Sequence, residues 1–214
     1  MKRTLSMLLW CCLVAVAVSA QQAKSPAAAA QVSDKEWREL LVAVSNEDWD
    51  AAFALSTKFL QQLKEEDEAK RLARLRYIHA YAAAGRVTEG RMSFAELERA
   101  LKDFKGKEIV MPYRQIAQEC QGAFNFVCPS DGAKDRLFVA ASNQTGTSIL
   151  AFEYIRLKEA FDAAKHEGER ASVGGIIERI APNPNKSRAI VMRIFVSEGY
   201  VKLEQPDPQK ASLR

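Results

Sequence analysis

Between Trp37 and Phe104 the apolar side chains recur every three to four residues; beyond Phe104 they recur every second residue. The first period is that of a helix with one buried stripe, and the second is that of a half-buried strand. Trp37, Leu40, Leu41 and Val44 stand at i, i+3, i+4 and i+7, behind Ser33-Asp34 as a capping pair with Glu36 in the first turn. Trp49, Ala52, Phe53, Ser56, Phe59, Leu60 and Leu63 make a second stripe. Leu72, Leu75, Ile78, His79 and Ala82 make a third, closing at Gly85, and Phe94, Leu97, Leu101 and Phe104 a fourth. Four helices with short connections pair as two antiparallel hairpins.

Beyond the Lys105-Gly106 turn the pattern predicts five strands and one helix. The strands are Lys107–Ile116, Ala123–Cys128, Arg136–Ser142, Glu169–Ile180 and Arg188–Val196. Pro129-Ser130-Asp131-Gly132 and Asn143-Gln144-Thr145-Gly146 carry turn chemistry between them. Tyr154, Leu157, Phe161 and Ala164 are spaced for a helix that ends near Gly168. The fold class is therefore α+β: a helical segment, 33–104, then a five-stranded barrel with one helix, 105–203, and a flexible tail, 204–214.

The N-terminus changes the compartment. Lys2 and Arg3 precede an uncharged apolar run from Leu8 to Val18, and Val18-Ser19-Ala20 offers small residues for cleavage. Residues 1–20 read as a secretory signal, with a retained anchor as the alternative, and residues 21–32 as a disordered leader. The expected location is exported, periplasmic or extracellular. Cys11 and Cys12 leave with the signal. Cys120 and Cys128 remain as a pair, which reads as one disulfide in an oxidising compartment, two free thiols being the alternative.

Composition adds limits. With 48% hydrophobic and 27% charged residues, the chain is neither disordered nor collagenous nor a multi-span membrane protein. The formal charge of +4 falls to +2 without Lys2 and Arg3, leaving 29 basic against 27 acidic side chains. That balance excludes strong nonspecific binding to polyanions but permits a local basic patch.

Two resemblances follow from particular residues. Glu47-Asp48-Trp49-Asp50-Ala51-Ala52 and Gly85-Arg86-Val87-Thr88-Glu89-Gly90 open successive helices at an offset of 38 residues. Tyr81, Gly85, Gly90 and Phe94 fall at the tyrosine, turn-glycine, small and phenylalanine positions of tetratricopeptide repeats, which this segment resembles. Ile78 replaces a small residue, and no helix-ending proline follows Phe94. The order β-β-β-α-β-β is that of an OB-fold. "FKGKEIV" and "HEGERASVGGIIERI" look like the exported OB domains of the tRNA-anticodon type, through Gly106-Lys107 and through Gly168-Glu169 to Gly174. Met111-Pro112 departs from that family's valine-glycine pair. These resemblances imply protein contacts through the helices and a ligand face across strands two and three with their flanking loops.

No catalytic set emerges. His79 sits on a helix stripe and His166 at a helix end; Glu65-Glu66-Asp67-Glu68 belongs to a solvated connection; Gly174-Gly175 lies mid-strand, without phosphate-loop context. Asn143-Gln144-Thr145 matches the glycosylation pattern, and Lys70, Arg71 and Arg74 read as a solvated basic stripe. No cofactor or metal is expected. The candidate ligand-binding residues are Phe124, Phe126, Arg136, Phe138, Lys186 and Arg188, since aromatics beside cations serve stacking on bases or sugars. Barrel core is the alternative for the three phenylalanines. The expected function is a non-enzymatic exported binding or scaffolding protein with a protein partner and a glycan or other ligand. The alternative is a single-stranded nucleic-acid-binding OB-fold protein.

Overall fold

The computed structural model describes residues 32–120, 125–183 and 190–205. Residues 1–20, expected as a signal, residues 21–31 of the expected leader and the tail beyond residue 205 lie outside the described residues. Four helices come first: α1 (Asp34–Ser45), α2 (Trp49–Gln62), α3 (Glu65–Thr88) and α4 (Phe94–Leu101). Their starts follow from the capping residues. Ser33 with Glu36 and Ser93 with Glu96 form capping boxes on α1 and α4, and the Asp48 carboxylate accepts from the Ala51 N–H at the head of α2.

Helix α3 runs through Gly85 to Thr88, three residues past its expected end. Gly85 is a contact residue here: a Cβ at this position would stand inside the Trp49 indole. Trp49 is 2% exposed and meets Tyr81 edge-on at 5.0 Å, so the glycine lets α2 and α3 approach around one buried ring. Every residue of α3 from Leu75 to Gly85 is buried. One side of this helix faces α2 and the other faces the sheet. Tyr77 stacks on Phe152 at 6.0 Å, and the Tyr81 hydroxyl donates to the Ser142 carbonyl at 2.6 Å. Helices and sheet thus share one hydrophobic core.

The sheet has seven strands where five are expected: β1 (Glu108–Val110), β2 (Arg114–Ile116), β3 (Phe126–Pro129), β4 (Arg136–Ser142), β5 (Ser148–Leu157), β6 (Arg170–Pro182) and β7 (Met192–Leu203). The predicted first strand is split at Met111-Pro112-Tyr113, because proline has no N–H for the ladder. The helix expected around Tyr154 is instead β5, followed by a short 3-10 turn at Ala163–His166. Along the pairings, β6 is antiparallel to β2, β2 parallel to β3, β3 antiparallel to β4 and β4 antiparallel to β5. β5 is then parallel to β7, and β7 antiparallel to β6. The circuit closes on itself, with β1 continuing beside β2 on the same edge of β6.

The reason for the misread helix is a bulge. Phe152 pairs with Ile194 but Tyr154 pairs with Phe195, so Glu153 is an extra residue in β5. Phe152, Ile155 and Leu157 are buried while Tyr154 and Arg156 are exposed. The step from Phe152 to Ile155 therefore has helical spacing inside a strand.

One buried titratable group tests the helical layer. His79 Nδ1 lies 2.9 Å from the Ser56 hydroxyl, which itself donates to the Phe53 carbonyl at 3.0 Å. Phe53 stacks on the imidazole at 4.5 Å. Burial pushes the His79 pKa from 6.5 down to about 4. Above pH 6.5 the imidazole is neutral in both states. Between 6.5 and 4 only the unfolded chain takes the proton, so stability falls as pH falls.

Two outcomes follow. Chemical denaturation of the wild type should lose up to about 1.4 kcal/mol per pH unit through that window from this group, and His79→Asn should remove that share of the slope. Gly85→Ala should lower stability by about 1–2 kcal/mol in a thermal melt, since overpacking against Trp49 outweighs the gain in helix propensity.

Candidate functional site

The sequence candidates divide in three ways. Phe124, Lys186 and Arg188 lie outside the described residues. Phe126 and Phe138 are half-buried on one face of β3 and β4. The pairs Val127↔Val139 and Cys128↔Phe138 put Val127, Leu137 and Val139 on the core side and Phe126, Cys128 and Phe138 on the other. Cys120 and Cys128 stand at disulfide distance, their Cα atoms 5.5 Å apart, tying the chain after β2 to β3. Arg136 occupies the outward face of β4 and lines an open cavity of about 650 Å³.

That cavity gathers residues that sequence reasoning did not bring together. Tyr154 and Arg156 come from β5, Glu178 and Arg179 from β6, Phe195 from β7 and Lys105 from the turn before β1. Two bulges place them. Glu153 is the extra residue of β5, and Glu178 is the extra residue of β6, since Ile177 pairs with Val196 and Arg179 with Phe195. Both bulges flank Phe195, so Tyr154 and Arg179 become its two neighbours. Tyr154 stacks on Phe195 at 6.0 Å, and the Arg179 guanidinium sits 3.6 Å from the centre of the same ring. Gly106, with φ of +76°, turns the chain beside Lys105 and bonds its N–H to the Ile177 carbonyl at 2.8 Å.

The charge is one-sided. Lys105, Arg136, Arg156 and Arg179 line the cavity against a single carboxylate, Glu178. Glu178 pairs with Arg156 at 3.0 Å, and Asp135 beside the cavity reaches Arg136 only at 3.7 Å. Arg136 lies directly opposite Arg156 across the β4–β5 pair. Like charges in register oppose each other in an antiparallel pair, and here Glu178 offsets Arg156 more closely than Asp135 offsets Arg136. The row runs over β6, β7, β5 and β4, a width of roughly 14 Å at ordinary strand spacing. Tyr154, 38% exposed, offers a free ring edge in the middle of it. The arrangement suits an anionic group on the arginines and a flat or ring-shaped moiety against Tyr154.

Among the described residues no group of three or more His, Cys, Asp or Glu is placed to hold a metal ion, and no helix is long and apolar enough to cross a membrane. The glycosylation-pattern residue Asn143 spends its side-chain oxygen on the Thr147 N–H at 2.8 Å, closing the β4–β5 turn. His166 stacks on Phe161 at 5.2 Å and faces Glu169 at 3.3 Å. Comparison with protein-family models, curated proteins and solved structures finds no match for this chain.

The Arg136–Arg156 pair has a measurable signature. Arg136→Gln should raise stability by up to about 0.5 kcal/mol in urea denaturation, by relieving like-charge opposition. Arg156→Gln, which also breaks the pair with Glu178, should give no such gain.

Proposed function

We propose that this chain is an exported, non-catalytic binding protein that holds an anionic, ring-bearing ligand on the outward face of β4–β7. The observation that carries the reading is four cations set against one carboxylate around the stacked Tyr154–Phe195 pair. Two arginines stand opposite each other there, a like-charge placement that an anionic ligand would relieve.

The strands are read as a variant of the OB-type barrel. In it β1 and β2 together are the first strand, β4 and β5 the second and third, β6 and β7 the fourth and fifth, and β3 is inserted before β4. What supports this is the closed circuit of pairings, with β5 parallel to β7 and β6 antiparallel to both β7 and β2. The proposed face then lies over strands two and three, where such barrels take ligands. The helices remain the tetratricopeptide-like part, available for a protein partner. Export rests on the reading of residues 1–20.

An acidic oligosaccharide is the first reading of the ligand, in keeping with an exported address. A single-stranded nucleic acid is the second, favoured by an exposed tyrosine beside arginines. The test is titration of the full chain with a fluorescent heparin-derived oligosaccharide and with a labelled oligothymidylate, each over a range of salt. Binding should weaken steeply as salt rises, and Arg136→Glu with Arg156→Glu should abolish it. Preference for oligothymidylate moves the ligand to the second reading; no binding of either at low salt ends the proposal.

A further inference from the structure

The break in the first strand opens a second site. Met111-Pro112-Tyr113, between β1 and β2, forms the floor of a cleft of about 440 Å³, walled by Trp37 and Leu41 of α1 and by Tyr77 and Ile78 of α3. That volume lies in the range of small-ligand sites, roughly 300–1,000 Å³. Leu41 is 45% exposed at the mouth, and Val42 beside it on α1 is 58% exposed.

Of the floor's backbone groups, both of Met111 and the Tyr113 carbonyl are already engaged. The Met111 carbonyl accepts from the Ser172 hydroxyl at 2.6 Å, and the Met111 N–H donates to the Val173 carbonyl at 2.9 Å. Arg170 donates to the Tyr113 carbonyl at 3.3 Å, and Pro112 has no N–H to offer. The Tyr77 hydroxyl is met by Arg114 at 3.3 Å. An extended peptide laid here would find few partners for its own backbone. A hydrocarbon chain needs none.

The rim carries two cations with different duties. Arg170 holds the Glu204 carboxylate with two bonds, at 3.0 and 2.8 Å, so its charge is matched. Arg74 is exposed and makes no hydrogen bond or ion pair with a described residue. No carboxylate lines the cleft. One cation outside any ion pair on the lining of an apolar cleft is complementary to one anionic head on one apolar tail. We propose that this cleft binds a single-chain anionic amphiphile of the fatty-carboxylate class, its tail between α1, α3 and the Met111–Tyr113 floor and its head on Arg74. This site shares no residue with the β4–β7 face, so either proposal stands or falls without the other.

The test is a titration of the full chain with octanoate, decanoate and dodecanoate below their micelle concentrations, read by the fluorescence of Trp37 and by calorimetry. Binding should saturate at one per chain and tighten about fourfold per added methylene. Arg74→Glu should weaken dodecanoate by at least about tenfold, and Leu41→Asp should weaken the whole series. Both residues are exposed, and an unchanged melting temperature will show that the variants fold. The proposal is overturned if no dodecanoate binds, if dodecyltrimethylammonium binds as well as dodecanoate, or if Arg74→Glu changes nothing. It is equally overturned if the chain binds only vesicles of an anionic phospholipid or an apolar helical peptide.

Discussion

Helix α3 is buried on both sides, and the rest of the molecule is arranged around that fact. From Leu75 to Gly85 it has no solvent face, so the polar side chains of that stretch must be satisfied inside the protein. Arg76 does so by pairing with Glu65 and donating to the Glu108 carbonyl at 2.8 Å, and His79 does so through Ser56. Tyr77 and Tyr81 turn their rings to the sheet, while Gly85 and the run from Ala82 to Ala84 keep the helix thin enough to be covered. Removing the sheet would strip one wall from this helix, and removing α2 would strip the other. The helical layer is therefore completed by the sheet, which supplies the second wall that α3 needs.

The helical half was legible because its signals are local. The capping residues Ser33 and Glu36 and stripes at three-to-four spacing mark α1, α2 and α4 directly. Gly85 misled the reading of α3 because a glycine late in a helix looks the same whether it ends the helix or admits a neighbour's ring. Only the position of Trp49, 36 residues earlier, distinguishes the two. The sheet was legible where apolar and small residues run on between turn signals, as in Arg136–Ser142 and Arg170–Pro182. It failed at β5, where the extra Glu153 shifts the phase of alternation and leaves apolar residues three apart.

The same bulge hid the candidate site. Arg136 was found because it sits in a regular strand beside aromatic residues. Tyr154 and Arg156 were read as helix, and Phe195 and Arg179 join them only through the register of β7 with β5 and β6. A closed sheet places side chains from distant segments on one face, and pairing register is a long-range property that no short window of sequence contains. What the sequence did carry was the alternation Tyr154-Ile155-Arg156-Leu157, polar-rimmed out and apolar in, four residues long. A bulged strand leaves such a short trace.

The position of β7 has a consequence for how the molecule is made. This strand bonds to β5 along one edge and to β6 along the other, and it is the last strand of the sheet among the described residues. Until Met192–Leu203 arrives, β5 and β6 each present an open edge, and an open edge is a template for pairing with another chain. Synthesis in the N-to-C direction therefore leaves the sheet adhesive until its final strand is laid. Exposure of those two edges therefore ends only when Met192–Leu203 has docked between them.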